Sequence, residues 1–348
     1  MYKVCIIGCG MIAESAHLPA YRHFADSFEV TGVFDTEQSR AEGFAARNGI
    51  KNFYTDAEKM LKSEKPDVVS VCVPNKFHRE YTLAALREGA NVLCEKPLAV
   101  TYSDACEMFD TAEKYGKVLM ACQSMRFTPD RIAAKKYIEE NGIGDLYYAE
   151  FSRIRRRGIP YWGNFHKKDI SLGGAFCDIG VHMLDALIWL TGETKIKSVN
   201  ARMGQNHKDE LGTAEKSGIF TGSISNQKKF NPDEMDVEDF AAGSITLESG
   251  AVINFKTAWA ANMPECTEMK ILGKKAGIIL PEGKVYSGNN TEITLVQEKS
   301  EYDSPFAGHF HIIENLKNVL NGESSPTVTP EETKAVAKIL EMAYNPGE

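Results

Sequence analysis

Tyr2-Lys3-Val4-Cys5-Ile6-Ile7, running into Gly8-Cys9-Gly10-Met11-Ile12-Ala13, is the stretch on which the fold turns. Its first half, rich in Val, Ile and Cys, reads as a strand buried on both faces. The strand meets a Gly-x-Gly-x-x-Ala turn, and a helical pattern follows. In that order the glycines permit a tight turn and let a pyrophosphate approach backbone amides at the helix N-terminus. Glycines that merely serve a strand-to-helix turn would look the same, so the second half of the signal matters. Asp35 closes the next predicted strand, where an acid that binds the adenosine ribose belongs. Its carboxylate would accept from the ribose hydroxyls and repel a 2′-phosphate, although Arg40 could offset that repulsion. NAD is therefore expected ahead of NADP.

The alternation continues outward. Residues 28–34, 67–73, 91–94 and 118–122 read as further buried strands, and 40–48, 79–88 and 103–114 carry helical periodicity. Strands alternating with helices predict βαβ units and a parallel sheet. Gly89 and Gly116 fall just past two of the helices, where positive φ ends a helix. Beyond residue 124 the pattern changes. A helix over 129–140 leads to a strand over 146–154 and then to a glycine-flanked helix over 176–190. Strands follow at 197–203, 238–247, 251–259 and 268–272, and Ala251, Ile253, Phe255, Thr257 and Trp259 mark one face of period two. Such strands after an α/β half predict a mostly antiparallel sheet in a second domain. Helices over 306–320 and 331–344 close the chain, the second capped by Thr329 with Pro330 at the first helical position. Residues 208–216 and 223–229 are polar and read as loop. The expected organisation is a Rossmann dinucleotide-binding domain over 1–124 and a substrate-binding and oligomerisation domain over 125–348.

A chain of 348 residues can bury two cores. The formal net charge of −8 argues against non-specific nucleic-acid binding, which needs a basic surface. No apolar run approaches the roughly 20 residues that span a bilayer, and Met1 leads straight into a strand with no signal peptide. Eight cysteines without Cys-x-x-Cys spacing read as reduced thiols, so a cytoplasmic protein without membrane contact is expected.

Two further stretches carry chemistry. In Val92-Leu93-Cys94-Glu95-Lys96-Pro97 a buried strand ends, and Glu95 and Lys96 should emerge at its carboxyl end, where open α/β sheets place their ligand crevice. Lys96, with three donors, suits polarisation of a hydroxyl or carbonyl; alone, a lysine before proline is usually a solvated turn residue. Pro74 halts another strand and leaves Asn75 at the crevice, as a cofactor ligand or a plain helix cap. His78 begins the next helix. The other stretch runs from Gly173 to Asp185. Asp178 and His182 are four apart on a helix and share a face, and Asp185 continues that stripe. A structural network and a metal site are both open readings of a histidine between two carboxylates. The metal reading lacks a second histidine at ligand spacing. A general base beside a carboxylate fits better, because hydride transfer from an alcohol needs a group to take the hydroxyl proton.

With these residues in hand, the chain resembles the Gfo/Idh/MocA family, the glucose–fructose oxidoreductase and inositol dehydrogenase proteins. The resemblance spans essentially the whole length. It rests on Gly8-x-Gly10-x-x-Ala13, Asp35, Pro74-Asn75 with His78, Glu95-Lys96-Pro97, Arg126-Phe127, and Gly173-Gly174-x-x-x-Asp178-x-Gly180-x-His182. Leu172 departs from it, standing where many members have a third glycine. The family implies an N-terminal Rossmann domain and a C-terminal α/β domain with a large open antiparallel sheet. It implies catalysis by Lys96, Asp178 and His182, with His182 as base. The expected cofactor ligands are Gly8, Gly10, Met11, Ile12, Asp35, Pro74, Asn75, His78, Glu95, Lys96 and Gln123, with no metal.

The expected substrate is a sugar or polyol, held by Lys96, Arg126, Arg156, Trp162, Asp178 and His182. Trp162 offers a flat face for a ring, and Asn164, His166 and Lys167 offer hydrogen bonds. The stretch around Trp162 reads equally as an interface, because an open sheet of this kind pairs with another copy in a homodimer or homotetramer. Two rival functions stay open: a glycoside-processing enzyme that oxidises its sugar transiently, and a non-catalytic dinucleotide sensor.

Overall fold

The computed structural model describes residues 1–213, 231–288 and 290–345, Trp162 in its backbone alone. The predicted loop at 208–216 lies partly, and that at 223–229 wholly, outside the described residues. The chain divides into two compact units, Met1–Ser124 with Ser304–Thr333, and Met125–Asp303 with Lys334–Glu348. Ser304–Thr333, which the sequence reading left in the second domain, counts with the first.

In chain order the first unit holds β1 (Tyr2–Ile7), α1 (Leu18–His23), β2 (Phe28–Phe34), α2 (Gln38–Arg47), β3 (Asn52–Tyr54), α3 (Ala57–Glu64), β4 (Val68–Val71), α4 (His78–Arg87), β5 (Asn91–Glu95), α5 (Tyr102–Lys114) and β6 (Leu119–Cys122). The strands form one wholly parallel sheet in the order β3-β2-β1-β4-β5-β6. β4 and β6 are buried at every position, which is why their sequence is a continuous apolar run rather than an alternation. The strand order reverses between β1 and β4, and ligands of such sheets sit outside the carboxyl ends of the strands at that point. Gly89 (φ 88°) and Gly116 (φ 60°) end α4 and α5 in the expected left-handed geometry. The helix expected after the glycine turn runs on into α1, while β3 and α3, too short to establish a period, went unread.

The second unit begins with α6 (Pro129–Asn141), β7 (Leu146–Ile154), α7 (Lys168–Ser171), α8 (Val181–Thr191), β8 (Ile196–Gly204), β9 (Phe240–Leu247) and β10 (Val252–Ala258). It continues with β11 (Cys266–Gly273), β12 (Ala276–Leu280), β13 (Lys284–Ser287) and β14 (Thr291–Thr294), and the chain closes with α9 (Ala307–Leu320) and α10 (Pro330–Tyr344). Its eight strands run β14-β13-β12-β11-β7-β10-β9-β8, all antiparallel except the parallel pair β7 and β10. The face marked by Ala251, Ile253, Phe255, Thr257 and Trp259 is fully buried, as its period predicts. Strands β12 to β14 went unread, and β14 is exposed at every position.

One expectation needs correction. The helical run Lys168–Thr191 is, among the described residues, long and apolar enough to cross a bilayer. Most of it is buried within the protein, which accounts for apolarity all round its circumference. All eight cysteines carry free thiols, and burial pushes those of Cys5 and Cys9 up to about 12.

Candidate active site

The glycine turn of the first unit has the geometry its sequence promises. Gly8, at φ 100°, lies so close to the carbonyl of Cys72 that a Cβ there would collide with it. That contact joins the end of β1 to the end of β4. A Cβ on Gly10 would meet nothing within 4 Å, so the backbone is open to a large neighbour. Met11 and Ile12 begin the helical run, and a π turn follows at Ala13–His17. Asp35 is 6% exposed; its carboxylate accepts from the Cys9 amide at 3.1 Å and the Glu37 amide at 3.0 Å. Arg40 bridges Asp35 at 3.3 Å and Glu37 at 2.7 Å, so its charge is shared between two acids. Pro74 and Asn75 lie at the end of β4, where Asn75 opens a tight turn, Asn75–Phe77. Gln123 follows β6 with its side chain buried, and its Oε1 has no hydrogen-bond partner among the described residues. An open backbone at Gly10, an acid at the end of β2 and an unused buried amide oxygen fit a dinucleotide.

Two expected cofactor ligands face elsewhere. His78 is buried, with Nδ1 2.7 Å from the Pro97 carbonyl and Nε2 2.8 Å from the Val73 carbonyl. As a neutral imidazole the ring carries one N–H and donates to one of these carbonyls at a time, tying the loop after β5 to the end of β4. Glu95 also points inward. Its Oε1 accepts from His17 Nε2 at 2.8 Å and from His309 Nε2 at 3.2 Å, and its Oε2 accepts from the Lys96 amide at 3.1 Å. A consistent donor order runs from the Tyr21 hydroxyl to Ser70, from Ser70 to His17 Nδ1, and from His17 to Glu95. Burial alone would raise the Glu95 carboxyl; the bonds from His17 and His309 outweigh it and hold the group well below the usual range. Burial holds His17 below the ordinary histidine value. With Cys122, these residues bring four potential metal ligands within 4.8 Å of one another. The 2.8 Å separation is nonetheless a hydrogen-bond length, and the donor order accounts for it. The network braces β5 against the π turn and α9. Lys96, by contrast, is half-buried between the buried Glu95 and Pro97, the one partly accessible side chain from Val92 to Ala99.

The second unit builds its site at the carboxyl ends of β7 and β10. From Gly173 to Ile188, the only residues that are not buried are Asp178 and His182. A π turn covers Phe176–Gly180, closed by the Val181 amide on the Phe176 carbonyl, and α8 follows. Asp178 and His182 therefore stand about one widened turn apart on the same side. Such turns recur at functional sites. Glycine is required at 180, because a Cβ would sit 2.7 Å from the Phe176 ring and 2.9 Å from the Thr257 methyl. Trp259, fully buried on β10's inner face, donates its indole N–H to Asp178 Oδ2 at 2.9 Å.

Three supports behind that helix escaped the sequence reading or were misassigned by it. Glu238 accepts from the Gly174 amide at 2.9 Å and the Phe176 amide at 3.0 Å, satisfying donors that a helix start leaves open. Tyr344 donates to Glu238 at 2.7 Å and accepts from the Cys177 amide at 3.1 Å. Asp185 belongs to Arg126, which clasps it with bonds of 2.6 and 2.7 Å, both side chains enclosed. Arg126 is thus an internal brace rather than a substrate contact, and Asp185 does not extend the Asp178–His182 stripe. Arg156 is exposed and lines a shallow surface hollow with Asn262, Met263 and Pro264. The arginines on which the Asp178 charge acts are instead Arg153 and Arg155. Lys167 pairs with Glu234 at 2.7 Å, and the side chain of Trp162 lies outside the described residues. The period of β10 already put Trp259 on the inner face; nothing local ties Glu238, Tyr344, His17 or His309 to the motifs they hold.

Comparison with known proteins agrees over the whole length. Residues 2–123 match an oxidoreductase family with an NAD-binding Rossmann fold, and residues 132–279 match the GFO/IDH/MocA C-terminal domain. D-glucoside 3-dehydrogenase of Escherichia coli (strain K12) is 34% identical, the match covering 99% of this chain and 95% of that protein. The scyllo-inositol 2-dehydrogenase (NADP(+)) of Bacillus subtilis (strain 168) is 26% identical over 86% of this chain and 89% of its own. The solved structure of levoglucosan dehydrogenase with NADH and levoglucosan superposes with a TM-score of 0.78 at 22% identity, covering 99% of this chain and 96% of that one.

Proposed function

The chain belongs to the Gfo/Idh/MocA family of NAD(P)-dependent dehydrogenases acting on CH–OH groups, and from that premise we propose that it oxidises a hydroxyl of a sugar, an inositol or a sugar derivative with NAD. One observation carries the reading to particular residues. From Gly173 to Ile188, Asp178 and His182 alone remain accessible. Burial that selects an acid and a histidine one turn apart leaves a proton-transfer pair at a surface. When bound, NAD supplies the hydride acceptor. His182 takes the hydroxyl proton, Asp178 orients His182 and the substrate, and Lys96 polarises the reacting oxygen. Gly8, Gly10, Met11 and Ile12 hold the pyrophosphate, Asn75 and Gln123 contribute amide contacts, and Asp35 binds the adenosine ribose. The acids Asp35 and Glu37, between which Arg40 is shared, favour NAD over NADP.

Relatives named for a D-glucoside and for scyllo-inositol support the substrate class. The free, largely buried thiols fit a cytoplasmic protein, and the eight-stranded sheet is the surface we propose for self-association, to be read by sedimentation. The decisive experiment follows cofactor reduction across glucosides, free sugars and inositols with NAD and NADP. Lys96→Met and His182→Ala are each expected to lower turnover at least roughly 100-fold, the scale of one acid–base group, while NAD still binds. Near-normal turnover in either variant would sink the mechanism. Binding of NAD without oxidation of any sugar would favour the sensor.

A further inference from the structure

Arg153 and Arg155 stand out among the arginines of the second unit. Arg126 clasps Asp185 and Arg157 pairs with Glu210. Arg153 and Arg155 make no ion pair among the described residues. Arg153 lies opposite Thr257 across the β7–β10 pair, on the strand face that carries Trp259, and its Nη1 rests 3.0 Å from the Met125 sulfur, a weak acceptor. Arg155, whose amide donates to the Ala258 carbonyl at 2.9 Å, lays its side chain over Gly158 and reaches only that residue's carbonyl, at 3.4 Å. Both are half-buried. Burial draws both guanidiniums below their usual value, Arg153 to about 10; Asp178 acts on each, and Glu265 acts on Arg155 as well. Around Arg153, Asp178 is the one carboxylate set against the further guanidiniums of Arg155 and Arg131, which leaves surplus positive charge there. A half-buried guanidinium served only by a thioether or one long bond has lost water without a matching acceptor, and its planar fork matches a carboxylate or phosphate.

We propose that Arg153 and Arg155 form an anion subsite next to Asp178, so that the sugar oxidised by this enzyme carries a carboxylate or a phosphate. The inference rests on the dehydrogenase reading above and narrows its substrate. Initial rates with NAD on three matched compounds test it: a neutral methyl glucoside, its glucuronide and glucose 6-phosphate. The wild type is expected to show kcat/KM at least tenfold higher for one anion than for the neutral sugar, and the favoured anion identifies the group. Arg153→Gln and Arg155→Gln should bring that ratio toward one through the KM for the anion. Arg155→Lys, which keeps the charge and the stem, should give an intermediate ratio and serves if the glutamine variant fails to fold.

A wild type that oxidises the neutral glucoside as well as both anions overturns the subsite and keeps the dehydrogenase. Variants that slow all three compounds equally also overturn it, because the arginines then serve only to hold Asp178. Should none of the three be oxidised, the dehydrogenase reading fails for these sugars. Thermal shifts by glucuronate and glucose 6-phosphate with NAD present then decide: shifts that vanish in the glutamine variants support the subsite, and their absence in the wild type overturns it.

Discussion

Both helices that carry a motif of this chain contain a π turn near their start, at Ala13–His17 and at Phe176–Gly180, and the two turns do opposite things. The first sends His17 inward, fully buried, onto Glu95. The second leaves Asp178 and His182 as the accessible residues between Gly173 and Ile188. The two motif carboxylates differ accordingly. Glu95 is filled by donors from its own unit, two imidazoles and the next amide. Asp178 is fixed by an indole and lies in the field of two arginines. A carboxylate saturated from within is scaffolding, and one pinned at the edge of a charged surface is available for chemistry.

The largest effect should come from breaking the first of these. Glu95→Ala would strand two buried imidazole donors, and a loss of about 2–5 kcal/mol is expected from the cost of unpaired buried groups. Urea unfolding measures it, and an unchanged midpoint would show that the network holds nothing. Acid sharpens the same point. Burial holds His17 and His78 below the ordinary histidine value, so the unfolded chain takes up their protons first. Their contribution is complete above the ordinary histidine range and is lost as pH falls below it. Glu95, held low, adds a second loss below the ordinary glutamate range. Unfolding midpoints from pH 7 to 4 should decline in that order, and His78→Gln should flatten the upper part.

Asp178→Asn should behave in the opposite way to Glu95→Ala. The amide oxygen can still accept from Trp259, so the melting temperature should stay within a few degrees while turnover falls by about 100-fold, or ~2.7 kcal/mol in the barrier. Loss of stability with preserved turnover would put Asp178 with Glu95, on the scaffolding side.

Much of this contrast was legible in the chain because it is local. The glycine turn, Asp35 at a strand end, the four-residue spacing of Asp178 and His182 and the inner face of β10 are all patterns within a few residues. What escaped is long-range. Nothing near His309 announces Glu95, 214 residues away, and nothing near Tyr344 announces Glu238. Arg126 and Asp185 each read as site residues, because a sequence shows two charges near a motif and does not show that they neutralise each other. Arg156 was preferred to its neighbours for the same reason: three adjacent arginines look alike until the fold turns one to solvent and puts Arg155 in the field of Asp178.

Tyr344→Phe probes the pedestal of the second π turn at smaller scale. It removes one bond to Glu238 and one from the Cys177 amide, for about 1–2 kcal/mol. If that pedestal sets the height of Asp178, turnover should drop severalfold in the same variant. An unchanged kcat would confine Tyr344 to stability.

The smallest effect is expected at Leu172, where the sequence departs from its family's glycine. The residue holds φ 63° and ψ 1°, a left-handed conformation at the end of α7, one position before the glycine pair. A side chain there costs roughly 1–2 kcal/mol, and glycine would relieve that while giving back about 0.5–1 kcal/mol in unfolded-chain entropy. Leu172→Gly should therefore change stability by no more than about 1 kcal/mol. Turnover should not move, because the position of Asp178 is set downstream, by Glu238 on the Gly174 and Phe176 amides and by Trp259 on the carboxylate itself. A tenfold fall in kcat with an unchanged melt would place that control in the strained residue before the turn, and the second π turn would then owe its exposed pair to backbone strain rather than to the acid and the indole that grip it.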